Sequence, residues 1–259
     1  ILIGHANSNP FTIFRRSINS NLWKKKILIQ PYNGDPLQLS YLYDLIPKCD
    51  LFLAITGDYW FNNINKSIFK KWKKKMVRID LGINLKKYKF CKKKFNKKGK
   101  RKYLYIGNDY AYNNYAKNIK FLEKVANLYN PKLFGAIGNK PLDNVKYYGW
   151  LNMLDQKSVK IINNYDYLIS TSRHDANPST ILEAMSWGLI PTITVESGYK
   201  KIKTFKYIDL KSSQKTLKVL NNLQNINEVN LKNLQIKNLN LLKKKFNWKI
   251  FRNKILINT

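Results

Sequence analysis

The sequence predicts an α/β protein built on parallel sheets. Three observations carry this. Short apolar, strand-like runs alternate with helical patterns along most of the 259 residues. Two of those strands, Ile1-Leu-Ile and Lys102–Ile106, run straight into glycines, Gly4 and Gly107. One unit, from Tyr167 to Thr194, reads strand, polar loop, helix, strand, which is a βαβ crossover.

The elements follow in order. Residues 1–60 read as strand, helix, strand, helix, strand, with strands at Ile1–Ile3, Lys26–Gln30 and Leu51–Thr56. Leu39, Leu42, Tyr43 and Ile46 have helical spacing and predict a helix over Pro36–Ile46. Phe61–Lys75 is a basic helix or loop, and Met76–Ile79 is a strand leading into Asp80-Leu-Gly-Ile-Asn84. Residues 85–102 are lysine-rich, weakly patterned, and read as a surface excursion. A second α/β unit opens with the strand Lys102–Gly107. Its first helix, Asn118–Tyr129, puts Ile119, Leu122, Val125, Ala126 and Tyr129 on one face. Strands at Lys132–Ile137, Val145–Tyr148, Tyr167–Ser170 and Leu189–Thr194 follow, separated by helices, and Leu231–Ile257 is helical and basic. The expected division is a first domain over 1–80, a second over 81–243, and a terminal helix over 244–259. The chain begins at Ile1, inside an apolar strand, and three strands make a small sheet. It therefore reads as a fragment whose first domain is incomplete.

Composition bounds the function. Hydrophobic content of 44% fits a globular protein. No apolar run approaches the roughly 20 residues a membrane-spanning helix needs. The net charge of +33 attracts anionic partners, either nucleic acid or an anionic membrane face. Lys, Asn, Ile and Tyr are inflated together, however, which an AT-rich genome produces without selection for binding. The lysine runs are also scattered along the chain. Cys49 and Cys91 have no metal-like spacing; Cys49 reads as a partly buried free thiol in a reducing compartment. No metal-ligand cluster is visible, and no cofactor is expected.

The chemistry concentrates in Ser172-Arg-His-Asp-Ala-Asn-Pro-Ser-Thr-Ile-Leu-Glu-Ala-Met-Ser-Trp-Gly188, at the carboxyl end of a strand, where open α/β sheets bind ligands. Pro178 suits a first helical turn and Asn177 an N-cap. The backbone N–H groups of Ser179, Thr180 and Ile181 would then point out of a helix end carrying partial positive charge, a ready phosphate site. Two carboxylates lie eight positions apart: Glu183, placed to accept from ribose hydroxyls, and Asp175, placed before the helix to bind sugar hydroxyls.

The segment resembles the C-terminal half of GT-B-fold glycosyltransferases, and is most similar to glycosyltransferase family 4. That family's signature runs S-x-x-E-G-x-P, then E-A-M-A-x-G and a proline. The chain matches at Ser172, Pro178, Glu183, Ala184, Met185, Gly188 and Pro191. It departs at Asp175 for Glu, Ala176 for Gly and Ser186 for Ala. Val145-Lys-Tyr-Tyr-Gly-Trp150, Ser197-Gly-Tyr199, Phe246-Asn-Trp248 and the crossing Asp80–Asn84 are similar to further family segments. The resemblance implies two Rossmann-like domains facing a cleft, with the terminal helix returning to the first. It implies a metal-independent, retaining transferase moving a sugar from a nucleotide-diphosphate donor to a glycan or lipid-linked acceptor in cell-envelope polysaccharide synthesis. Such an enzyme would be cytoplasmic, with peripheral contact at the anionic inner membrane face and no nucleic-acid partner.

The resemblance also assigns roles. Glu183 would hold ribose and Asp175 the sugar. Lys117, behind the Gly107 loop, would face the diphosphate with Ser179 and Thr180, because charge builds on the leaving diphosphate. The family's arginine after that glycine is Asn108 here, and Arg173 is a candidate substitute. His5, at the end of the first strand, is a candidate catalytic group facing the reacting sugar; an ordinary loop histidine is the competing reading. Gly57-Asp-Tyr-Trp60 reads either as acceptor-side aromatics or as a packed corner. Two rival functions stay open. A basic nucleic-acid binder rests on +33 and 14% aromatics, but no known module is present. A non-transferring nucleotide-sugar binder or epimerase of the same fold rests on the departures at Asp175 and Ala176.

Overall fold

The computed structural model describes residues 1–5, 8–108 and 115–259, with the backbone alone for residues 8–11. The chain forms two all-parallel sheets. In the first, β1 (Leu2–His5), β2 (Lys26–Pro31), β3 (Leu51–Ile55) and β4 (Met76–Ile79) lie in sequence order. In the second, β5 (Tyr103–Ile106), β6 (Phe134–Ile137), β7 (Lys146–Tyr147), β8 (Tyr167–Ser170), β9 (Ile190–Ile193) and β10 (Lys206–Tyr207) take the order β10-β9-β8-β5-β6-β7. That order reverses between β5 and β8, and the reversal opens a crevice at the carboxyl ends of those two strands.

Alternating side chains sort each sheet into two faces. In the second, Tyr103, Tyr105, Phe134 and Tyr167 point into one core. There they meet Ile119, Leu122, Val125 and Ala126 of helix α4 (Ile119–Tyr129) and Leu220 and Leu223 of α7 (Ser213–Asn225). Leu104, Ile137 and Leu168 point the other way, onto Ile181, Leu182, Met185 and Trp187 of α6 (Ser179–Trp187) and Ile162 of α5 (Gln156–Asn163). A sheet buried on both faces explains why these strands are apolar throughout.

The first sheet packs Leu28, Phe52 and Met76 beneath α1 (Ser8–Ser17), α2 (Pro36–Leu39), α3 (Asp58–Asn62) and short 3₁₀ segments. Its other face, Ile27, Ile29, Leu53, Ile55 and Ile79, receives Phe251 of the terminal helix α9 (Trp248–Asn258), which follows α8 (Glu228–Lys245). The chain thus crosses back at its end. The turn is held by Ile83, whose N–H donates to Phe246 O at 2.9 Å and whose carbonyl accepts from Trp248 N at 2.9 Å. Buried Asp80 adds charge contacts at the crossing, to Arg78 at 3.1 Å, Lys245 at 3.5 Å and Lys254 at 3.7 Å.

The local expectations are corrected or sharpened at four places. The helix expected over Pro36–Ile46 is broken into α2 and 3₁₀ turns at Ser40–Leu42 and Ile46–Lys48. The basic stretch before β4 is a 3₁₀ helix over Ile68–Lys75, whose three-residue period buries Phe69 and Trp72 and leaves Lys70, Lys71, Lys73 and Lys74 exposed, while Lys75 bonds the Pro47 and Cys49 carbonyls. Cys49 is fully buried, 1% exposed, rather than partly so. Residues 85–102 run largely exposed and without helix or strand, as expected, but the stretch is anchored at buried side chains. Lys92 and Arg101 are each 1% exposed. Lys92 pairs with fully buried Asp166 at 3.0 Å, and Cys91 and Lys92 both donate N–H groups to Trp187 O at the end of α6. A lysine reads as exposed until its partner, far along the chain, is known.

Candidate functional site

A cavity of about 570 Å³ opens at the crevice between β5 and β8. Ile106, Gly107 and Asn108 follow from β5, Lys117 precedes α4, and Thr180 and Glu183 belong to the first turns of α6. Its far wall is Ile137 and the loop Trp150-Leu-Asn-Met-Leu154. Gly107 stands there for a steric reason: a Cβ would lie 2.4 Å from the Tyr105 hydroxyl.

The opening of α6 differs by one residue from expectation. Pro178, not Asn177, is the N-cap residue, in extended backbone and without a side-chain cap bond. Asn177 instead accepts a short hydrogen bond from the buried hydroxyl of Tyr199, so its side chain fixes the loop and does not cap the helix. Ile181 N–H donates to Pro178 O at 3.2 Å, so the outward donors are those of Ser179 and Thr180 alone.

Glu183 sits one turn in, between two cavities. One is the 570 Å³ cavity; the other, about 510 Å³, is lined by Gly82, Ile83, Asn84, Lys87, Ser179 and Trp248 among others. Burial pushes the Glu183 carboxyl above its ordinary 4.5, while hydrogen bonds from Ser179 and Tyr88 pull it back down. Tyr88 lies in the stretch that reads as surface excursion. Nothing in its own neighbourhood predicts the contact. It also lines both cavities and packs edge-on against Trp187 at 5.8 Å.

Asp175 and Lys117 meet directly: a carboxylate oxygen of Asp175 accepts a short, charged hydrogen bond from Lys117 Nζ. The Asp175 backbone is clamped on both sides. Its N–H donates to Glu196 O at 3.1 Å, and its carbonyl accepts from Trp60 Nε1 at 2.9 Å. That second bond crosses from the first sheet's loops, and others cross beside it. Gly57 N–H donates to Ala176 O and Tyr59 N–H to Gly198 O, each at 2.9 Å. Backbone meets backbone here. A Cβ on Gly57 would lie 2.1 Å from Gly198 O, and one on Gly198 2.3 Å from Ala176 O. The Gly57–Trp60 segment therefore docks the first sheet's loops onto the Asp175 loop. His174 is sandwiched, with Trp60 on one side at 5.3 Å and Tyr115 on the other at 5.7 Å.

The remaining candidates lie apart. Arg173 does not line the 570 Å³ cavity. It lines a smaller one of about 290 Å³ with Tyr115, Asn118 and Lys120. His5 ends β1, the edge strand, two strands from β3, the strand whose loop reaches Asp175. At about 4.8 Å per strand, that places it roughly 10 Å away along the sheet. Most of the loop expected to be long after Gly107 lies outside the described residues.

No protein-family model matches the sequence, and no curated protein is significantly similar to it in sequence. Solved structures are similar in fold. Sucrose-phosphate synthase from Thermosynechococcus elongatus superposes with a TM-score of 0.74 at 12% identity, over 98% of this chain and 71% of that one. TarM, of S. aureus, gives 0.65 at 15% identity over 95% of this chain and 52% of its own. The pneumococcal O-GlcNAc transferase GtfA gives 0.63 at 14%, over 95% and 53%. The chain thus has the GT-B fold of these glycosyltransferases, and spans about half the length of TarM and GtfA.

Proposed function

We propose that this chain carries the donor site of a glycosyltransferase. It would move a sugar from a nucleotide-diphosphate donor to a hydroxyl of a glycan or lipid-linked acceptor, with retention and without a metal. The single observation that carries the reading is the convergence of Lys117, the α6 N-terminus and Glu183 on one cavity at the β5/β8 reversal. The fold supports it as well: GtfA, of similar fold, is described in complex with UDP and GlcNAc.

In this reading the diphosphate lies against the N–H groups of Ser179 and Thr180, where the helix dipole is positive. Lys117 must leave Asp175 to reach it. Diphosphate binding would then free the Asp175 carboxylate to accept from a sugar hydroxyl at the moment the donor arrives. As the glycosidic bond to phosphate breaks, negative charge grows on the departing diphosphate, and Lys117 and the helix end stabilise it without reorganisation. Glu183 accepts from the ribose hydroxyls, oriented by Tyr88. The base fits the far wall, with Trp150 offering a ring for stacking. The acceptor would enter from the side of the first sheet, and the lysine excess would favour anionic carriers, including a membrane-bound lipid.

Titration calorimetry with UDP, ADP and GDP tests the reading. One of them should bind, and Glu183→Ala should weaken it roughly ten- to hundred-fold, since it removes a charged acceptor. Equal affinity in the variant and the wild type would make Glu183 a structural helix residue.

A further inference from the structure

The 290 Å³ cavity beside the donor site has its own chemistry. Its floor is the start of α4, an 11-residue helix with no acidic residue in its first turn. The N-cap position is held by Asn118 in left-handed backbone, φ 55° and ψ 48°, with no side-chain cap bond. An N-cap side chain in extended backbone would normally accept from the second or third helical N–H. Here Phe121 N–H reaches Asn118 O at 3.1 Å, while the N–H groups of Ile119 and Lys120 meet no acceptor among the described residues. Tyr115–Lys117, just before, are helical as well.

A second observation is independent of the helix. Asn118 is 6% exposed, and its Nδ2, a buried donor, has no partner among the described residues. An unmet buried donor costs free energy unless something accepts from it. Around it the lining is cationic: the Arg173 guanidinium, held over the Tyr115 ring at 5.4 Å, and the Lys120 side chain. No carboxylate is among the described lining residues, and the neighbouring Asp175 is engaged by Lys117. The segment is rigidly placed, since Thr171 Oγ1 donates to the carbonyls of Lys117 and Asn118, each at 3.2 Å. Lys117 and Asn118 are adjacent in sequence but line different cavities.

We propose that the start of α4, with Asn118, Lys120 and Arg173, is a second phosphate site beside the donor cavity. It takes a phosphate dianion, either free or as the phosphate of a small ester. The described lining offers two cationic side chains and the unmet Asn118 amide donor, which suits an ion with acceptor oxygens. The site stands independently of the nucleotide-sugar reading.

The test titrates the 259-residue chain with inorganic phosphate and, separately, with glycerol 1-phosphate, by calorimetry at fixed ionic strength. Four variants are compared: Asn118→Gly, which keeps the left-handed backbone while deleting the amide; Arg173→Ala; Lys120→Ala; and Lys232→Ala as a distant charge control. Melting curves verify folding. One saturable site is expected, weakened about tenfold or more by Asn118→Gly and Arg173→Ala, less by Lys120→Ala, and not by Lys232→Ala. Tighter binding of the ester would assign the site to a phosphorylated acceptor, and equal binding to the free ion. Adding UDP tells this site from the donor cavity: phosphate binding should persist in UDP-saturated protein, and a failure of UDP to bind would count against the donor reading alone. The proposal is overturned if phosphate binds only where UDP does, or if Asn118→Gly and Arg173→Ala bind it as the wild type does. In the latter case the binding belongs to scattered lysines.

Discussion

Glu183 is held at a cost that its position explains. Burial raises its pKa, so the folded protein holds the proton more tightly than the unfolded chain. Such a carboxyl contributes nothing adverse below its ordinary value of 4.5, and stability is lost as pH rises from there through the folded value. At neutral pH the carboxyl therefore burdens the fold. Glu183→Gln should raise the melting temperature at pH 7 relative to wild type and narrow that difference at pH 4, while binding nucleotide more weakly than wild type but better than Glu183→Ala. A Gln variant that melts lower at pH 7 would show that the hydrogen bonds from Ser179 and Tyr88 outweigh the burial. Asp175 makes the complementary case. Asn in its place still accepts one hydrogen bond but cannot hold Lys117 by charge. Asp175→Asn should lower turnover while leaving nucleoside-diphosphate binding unchanged or tighter, because Lys117 is released toward the diphosphate. Unchanged turnover in that variant would remove Asp175 from the reaction.

The segment over 85–102 has almost no regular structure, yet it clamps the second sheet. Asp166 accepts from Lys92 Nζ at 3.0 Å, Asn96 N at 2.9 Å and Lys102 N at 2.9 Å, all inside the protein. With both partners of the ion pair at 2% exposure or less, removing one leaves the other charged and enclosed. Lys92→Met should therefore cost about 3–5 kcal/mol in denaturant unfolding, far more than Lys→Met at an exposed site such as Lys232. A cost under about 1 kcal/mol would mean that the backbone donors and the Asn96 side-chain amide, 2.7 Å away, satisfy Asp166 without Lys92. The clamp bears on the site because the same segment delivers Tyr88 to Glu183.

Across the molecule, the two sheets meet through the start of α3, Gly57–Trp60, and the Asp175 loop, with the His174 ring stacked on Trp60 and on Tyr115. Burial lowers the His174 pKa below 6.5, and Arg173 lowers it further, while Asp35 of the first sheet's loops opposes them. A histidine with a depressed folded pKa binds its proton more tightly when unfolded. Stability is then complete above about pH 6.5 and declines as pH falls through that value toward the folded one. The melting temperature should drop on acidification from pH 7.5 to 5.5, and His174→Gln should flatten that drop; an identical pH profile in the variant would assign the effect to other groups.

Much of this was legible in one dimension. Strand positions came from apolar runs, the α4 face from helical spacing, and the place of the α6 opening from Pro178 and the small hydroxyl residues after it. All of these are local: backbone preference and side-chain period are settled within a few residues of the chain. The convergence of Gly107, Lys117, Thr180 and Glu183 on one cavity was legible too, because a strand–loop–helix unit puts its loop at one end of the sheet wherever it occurs. The rest depended on partners far away in sequence. Only the tertiary structure turned Asn177 from a cap into an acceptor for Tyr199, sent Arg173 to a different cavity, brought Tyr88 to Glu183, and buried Lys92 against Asp166. A polar side chain's own letter says what it can bond, and packing alone decides which partner is left within reach once water is excluded.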